Sequence, residues 1–216
     1  MTDFFKSLET YLMVLVHPFR IHQQFRFHIP LPNHDSYTYE PLSLAESISL
    51  SWVFSVIRGL GKIIILNYFL HTFWQFQSDE FPIIQELIEG PGLSAYYFLV
   101  FSSALDIVFF PIIAFVSSEL WAWIIRQYAN WLNPALPKEE IADQITTHAL
   151  SSNLFSMIPV LGDIVQNALY YFLIYAGLRT NLGASRSLAF VILLTPFIAI
   201  LMTISLFFLI LFYLMS

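Results

Sequence analysis

The sequence predicts an all-α polytopic membrane protein: a five-helix transmembrane bundle with a short helical hairpin, preceded by an interfacial amphipathic helix. Three observations carry that expectation. Of 216 residues, 57% are hydrophobic and 11% charged, with 22 phenylalanines and a mean hydropathy of +0.69, more apolar surface than a soluble domain hides in one core. Five apolar stretches recur along the chain, and a proline, a glycine and an aspartate interrupt the third and fourth of them within "SMIPVLGDI". The chain has no cysteine, which excludes disulfides, thiol catalysis and Cys-ligated zinc or iron-sulfur sites. A net charge of -6 with no block of like charge gives no surface for nucleic acid.

The first stretch, "MTDFFKSLETYLMVLVHPFR", carries Asp3 and Glu9 and lacks a small-residue cleavage site, so a removable signal peptide is not expected. Phe4, Leu8, Tyr11, Leu12 and Leu15 fall on one helical face, with Asp3, Lys6, Ser7 and Thr10 away from it. That is the pattern of a helix lying on a membrane surface. Residues 17–43 contain four prolines among aromatics and cations and read as an extended connector near the headgroups. Residues 1–43 thus form an interfacial N-terminal region and residues 44–216 the membrane domain.

Five segments, at residues 48–69, 93–118, 145–161, 164–178 and 188–215, are set against a spanning requirement of about 20 apolar residues. The first, second and fifth are long enough. The third and fourth are short, and the turn between them is expected at Pro159, which cannot donate a backbone hydrogen bond, and Gly162, which tolerates unusual dihedrals. Such a hairpin either crosses as two short helices or enters and returns, covered by protein or water. Lys6, Arg20 and Arg26 precede segment one, and Arg126 and Lys138 follow segment two. Arg179 and Arg186 precede segment five, whereas residues 70–92 carry Asp79, Glu80, Glu86 and Glu89 and no cation. The positive-inside rule then puts the N-terminus in the cytoplasm and the C-terminus on the far side, whether the hairpin spans or re-enters. "WAWIIRQYANWL" and "HTFWQFQ" read as aromatic belts, Trp121 and Trp131 marking the inner boundary and Trp74 the outer.

The proline-rich start with "HPFR", the five hydrophobic segments and the stretch "SSNLFSMIPVLGDIVQNALYYFLIYAGLRTNLGASRSLAFVILLTPFI" together resemble the Yip1-domain family. The shared order is an apolar helix ending in Ile-Pro-x-x-Gly, a helix ending in Gly-Leu, a short polar loop, and a small-residue start to a last helix that contains a proline. Here those positions are Ile158, Pro159, Gly162, Gly177, Leu178, Ala184, Ala189 and Pro196. The resemblance covers residues 10 to 216, with its specificity in the last third. It implies an integral membrane protein acting through lateral contacts, of the bacterial inner-membrane kind, or of ER and Golgi membranes if eukaryotic. Eukaryotic members are linked to Rab GTPases. This chain lacks their long N-terminal extension and the Asp-Leu-Tyr-Gly-Pro stretch, which puts small-GTPase binding in doubt.

Polar residues at depth carry what chemistry there is, because a charge at the bilayer centre costs at least about 2.5 to 3.5 kcal/mol. Ser51, Ser55, Arg58 and Lys62 lie on one stripe of segment one, and Ser102 and Asp106 are four apart in segment two. Counting inward from both faces puts Arg58 beside Asp106. Lys62 is expected further out, within snorkelling reach of Asp163 at the hairpin tip. His148, Ser152 and Ser156 form one further stripe, and Asp163, Asn167 and Tyr170 another. Either these residues pack helices, as polar side chains commonly do, or Arg58, Lys62, Asp106, His148, Asp163 and Asn167 line a solvated polar cavity for an ion, a lipid headgroup or a small solute.

The first reading is a non-catalytic protein whose partners are the bilayer, other membrane proteins or a second copy of itself. The second is a small transporter or channel built on Arg58, Asp106, His148 and Asp163. An intramembrane aspartyl protease is the third possibility, suggested by "VLGD". Val160 stands where its signature has glycine, and Asp106 lacks a preceding tyrosine. No cofactor motif is present. His17, His22, His28 and His34 crowd the connector at spacings that fit no metal motif, and are expected as interfacial side chains.

Overall fold

A computed structural model describes residues 2–27, 41–75, 93–132, 137–158 and 161–215. All regular structure among them is helical: α1 (Thr2–Val16), α2 (Pro18–Phe27), α3 (Leu44–Gln75), α4 (Leu93–Leu132), α5 (Lys138–Ala149), a 3-10 segment (Leu150–Met157), α6 (Gly162–Thr180) and α7 (Arg186–Met215). Three stretches within them, Leu44–Tyr68, Tyr97–Leu132 and Arg186–Met215, are long and apolar enough to cross a membrane.

Helix α3 starts where the sequence supplies a capping box. The Ser43 backbone N–H donates to Glu46 Oε2 at 2.9 Å, and the Glu46 N–H donates back to Ser43 Oγ at 3.2 Å. Helix α4 contains Pro111, which has no N–H to offer the carbonyl four residues earlier. That carbonyl, of Ile107, instead accepts the indole N–H of Trp52 from α3 at 2.9 Å. Gly59 is also at this crossing. A Cβ on it would lie 2.5 Å from Ile107 Cδ1, so a side chain there would have to displace the Ile107 side chain that packs on this face of α3.

At about 1.5 Å per residue, α4 is roughly 60 Å long, twice a bilayer core of about 30 Å. Its C-terminal part serves a different purpose: Trp121, Ala122, Ile124, Ile125 and Ala129 are buried with Ile21, Ile141, Ile145, Leu173, Ile174 and Leu178 in the main core. This core joins α2, α4, α5, α6 and the first turns of α7, with Val14 of α1 buried in it. A smaller cluster of Tyr11, Leu42, Leu50 and Phe54 ties α1 to α3. From Phe197 onward α7 is exposed along its whole length, an apolar rod projecting from the core.

Several expectations are corrected. Residues 145–161 and 164–178 are not among the helices of spanning length and hydropathy. Residues 145–149 finish α5, whose "KEEIADQITTHA" is too polar for hydrocarbon, and 150–157 continue as 3-10 turns. Residues 164–178 lie in α6, which packs against α2 and α5. The connector over 17–43 is partly helical: Pro18 starts α2, the first-turn position where its missing N–H costs nothing, and Ile21 is buried in the main core. On α1 the buried face is rotated from the one expected. Thr10, Tyr11 and Val14 are buried, whereas Leu12 is exposed. Trp121 is buried against Tyr171 and marks no boundary; Trp131 is exposed, and the side chain of Trp74 lies outside the described set.

Gly162 opens α6 for a reason other than dihedral freedom. A Cβ there would sit 2.6 Å from the Phe155 carbonyl oxygen and 2.9 Å from that of Ser156. The 3-10 backbone and the start of α6 approach too closely for any side chain. Among the described residues the glycine with positive φ is Gly183, at 68°, in the α6–α7 turn. Pro159 lies outside the described residues.

Candidate functional site

Helices α3, α4 and α6 bring four ionisable side chains together. Arg58 Nη1 lies 2.9 Å from Asp163 Oδ1, Arg58 Nη2 3.9 Å from Asp106 Oδ2, and Lys62 Nζ 3.8 Å from Asp163 Oδ2. One helical turn separates Arg58 from Lys62, so both cations face the same way, and Asp163 at the first turn of α6 reaches both. The closest partner of Arg58 is therefore Asp163, with Asp106 further off. Side-chain exposure is 24% for Arg58, 47% for Lys62, 51% for Asp163 and 61% for Asp106. The cluster is partly open.

Beside it is a cavity of about 450 Å³, lined at one end by Arg58, Lys62 and Asp163 and elsewhere mainly by apolar side chains, among them Ile65, Leu66, Leu99 and Met157. Its size is that of a small-molecule pocket. Ser103 and Ser156 add hydroxyls to the wall.

A second polar group fixes the 3-10 segment to α1, α3 and α6. The Leu150 carbonyl accepts from Tyr11 Oη at 2.6 Å, Asn153 Nδ2 at 2.8 Å and Ser51 Oγ at 3.3 Å. Asn153 Oδ1 accepts from Gln166 Nε2, and Ser156 Oγ donates to the Asn153 carbonyl at 2.7 Å. Burial pushes the Tyr11 phenol above its usual range, partly offset by its bond with Ser51. The group is neutral and buried, which suits a structural clasp.

His148 does not join the ion cluster. It is fully buried and packs on His22 of α2, ring centroids 5.0 Å apart. Asn181 Nδ2 lies 3.1 Å from His22 Nδ1, and a Cβ on Gly177 would come within 3.2 Å of the His22 ring. His22 is thus a core residue, contrary to the interfacial role expected of it; His28 and His34 lie outside the described residues and His17 is exposed. Burial lowers the His148 pKa to about 4, and burial together with His148 holds His22 well below the ordinary imidazole value. Both rings are neutral near pH 7. Asn167 is exposed on α6, away from the buried face.

Sequence reasoning missed the Tyr11–Leu150–Asn153 clasp, the burial of His22 and the bond from Trp52 to Ile107. Pro111 was the available signal for the last, since it guarantees a carbonyl in need of a donor. Three apolar helices joined to a buried helical core, with an ion cluster between two of them, fit a protein embedded in a membrane. No protein-family model, no curated protein and no solved structure matches the chain.

Proposed function

We propose that this chain is a non-catalytic integral membrane protein, resembling the Yip1 type, that acts through lateral contacts with lipids or other membrane proteins. The observation that supports it is the self-neutralising ion cluster: two cations and two carboxylates, each within 3.9 Å of an opposite charge. Groups so matched hold helices together, the usual work of polar residues in such proteins. Asp106 and Asp163 approach different nitrogens of Arg58, an arrangement unlike the proton-sharing pair an aspartyl protease uses. In this reading the N-terminus is cytoplasmic, α3, α4 and α7 cross, and the α5–α6 hairpin enters from the cytoplasmic side. The charge pattern of the loops supports that orientation.

A second reading, a small transporter or channel, draws on the cavity at Arg58, Lys62 and Asp163. One experiment separates the two. In lipid nanodiscs, a double-mutant cycle on Arg58→Ala and Asp163→Ala should give a coupling of about 0.5–1 kcal/mol, given the partial exposure of the pair. The Arg58–Asp106 cycle should give less. Proteoliposomes should show no ion flux above protein-free vesicles. Flux that Asp163→Asn alters while leaving stability unchanged would replace the first reading with the second.

A further inference from the structure

The cavity beside the ion cluster has one charged end and apolar walls, the chemistry of an amphiphile. Two further features narrow its occupant. Gly61 faces it, and a Cβ added there meets nothing within 4 Å. A glycine inside a helix costs roughly 1 kcal/mol relative to alanine. At Gly59 that cost is offset by contact with Ile107, whereas at Gly61 no neighbour approaches, and what the missing side chain preserves is volume. The second feature is exposure. Lys62 is about half exposed in a helix stretch of membrane-spanning hydropathy, and Asp163, as exposed, reaches it from α6; charged groups in a span do not face hydrocarbon. They need polar cover.

Arg58, Lys62 and Asp163 give the lining a net charge of +1, while Asp106 reaches Arg58 from outside the cavity. The four-group cluster as a whole is neutral, and within it the more loosely held cation is Lys62, whose 3.8 Å contact with Asp163 is the longer of the two that carboxylate makes. A phosphodiester matches this end, presenting acceptor oxygens and one negative charge to an ammonium and a guanidinium. An acyl chain matches the other end, along Ile65, Leu66 and Leu99. We infer that the cleft between α3, α4 and the start of α6 is a binding site for one anionic glycerophospholipid, its phosphate held by Lys62 and Arg58. This rests on the reading of the chain as a lateral-contact protein and names the lipid class.

Native mass spectrometry of the full chain in detergent tests it, with dioleoyl phosphatidylglycerol, dioleoyl phosphatidylcholine and glycerol 3-phosphate as probes. One phosphatidylglycerol should be retained, in preference to phosphatidylcholine, and millimolar glycerol 3-phosphate should not displace it. Lys62→Gln should weaken retention about fivefold, the worth of one cation at a lipid phosphate. Gly61→Leu should weaken it at least tenfold by filling the cleft, with its unfolding midpoint no lower than that of the parent protein. Equal retention by parent and Gly61→Leu would overturn the site, as would displacement by glycerol 3-phosphate, which would make it a soluble-anion site. Loss of lipid binding with the Arg58–Asp163 coupling intact and no flux would sink this inference and leave the lateral-contact reading standing. Ion flux would sink that reading itself.

Discussion

Alanine at position 162 should destabilise the protein by about 2 kcal/mol, while alanine at position 61 should not destabilise it at all. The new methyl at 162 would lie 2.6 Å from the Phe155 oxygen and 2.9 Å from the Ser156 oxygen, against the roughly 3.3 Å at which carbon and oxygen meet even in close C–H···O contacts. The obstacle is backbone. Its 3-10 segment is clasped at Leu150 by Tyr11 and Asn153, so it cannot yield cheaply. Overpacking of this kind costs about 1–3 kcal/mol, and the gain in helix propensity at the first turn of α6 recovers only part of it. At Gly61 the methyl meets no atom within 4 Å, and the propensity gain of up to about 1 kcal/mol is unopposed. Both variants would be unfolded by denaturant titration in the same mixed micelles and followed by near-ultraviolet circular dichroism. If Gly162→Ala proved as stable as Gly61→Ala, the close approach of the 3-10 segment to α6 would be wrong.

Tyr11→Phe should cost about 1–2 kcal/mol by the same titration: the hydroxyl's two hydrogen bonds, to the Leu150 carbonyl and with Ser51 Oγ, are lost, but the Leu150 carbonyl keeps its bonds from Asn153 and Ser51 and is not stranded. Trp52→Phe should cost more, about 1–3 kcal/mol, since Pro111 leaves the Ile107 carbonyl dependent on the indole N–H and removal strands a polar group; rescue by Pro111→Ala, which restores an N–H, would identify the cause. Stability should also depend on pH through the buried histidines. The folded His148 titrates at about 4, below the ordinary 6.5, so between these values the unfolded chain binds the extra proton. Its contribution is complete above pH 6.5, falls as pH drops toward about 4 and levels off below that; His148→Asn should flatten the slope measured from unfolding midpoints across pH 4–7.

The ion cluster was legible because charges within apolar segments are few: Arg58, Lys62, Asp106 and Asp163 had to find one another or face lipid. Their ranking was not legible. Which carboxylate lies nearer Arg58 depends on where the start of α6 sits against α3, and that is fixed by tertiary packing such as the close approach of Gly162 to the 3-10 backbone. Membrane character was read from composition, and three of the five apolar stretches lie in helices long and apolar enough to cross a membrane. Within residues 164–178 the later part, Leu173, Ile174, Ala176, Gly177 and Leu178, is buried in the helical core while Ile164 and Phe172 are exposed, and hydropathy alone does not separate burial in protein from burial in lipid. His22 was missed for a related reason. In a polar, proline-rich stretch its ring reads as interfacial, and only the chain reversal that lays α2 on α6 brings it to His148 and Asn181.

The position of the charges along the chain has a consequence for how the protein is made. Arg58 and Lys62 leave the ribosome before Asp106, and well before Asp163. When α3 first meets the translocation machinery it carries two cations, each unfavourable by about 2.5–3.5 kcal/mol at mid-membrane, and neither carboxylate yet exists to neutralise them. Its hydropathy is also the lowest of the three candidate spans, 1.6 against 2.3 and 2.7. If α3 crosses the membrane as proposed, its insertion is the step that depends on what comes later, its final seating awaiting α4 and α6. Membrane integration of this chain would then be cooperative across about a hundred residues of synthesis, with α3 the last of the early segments to become committed.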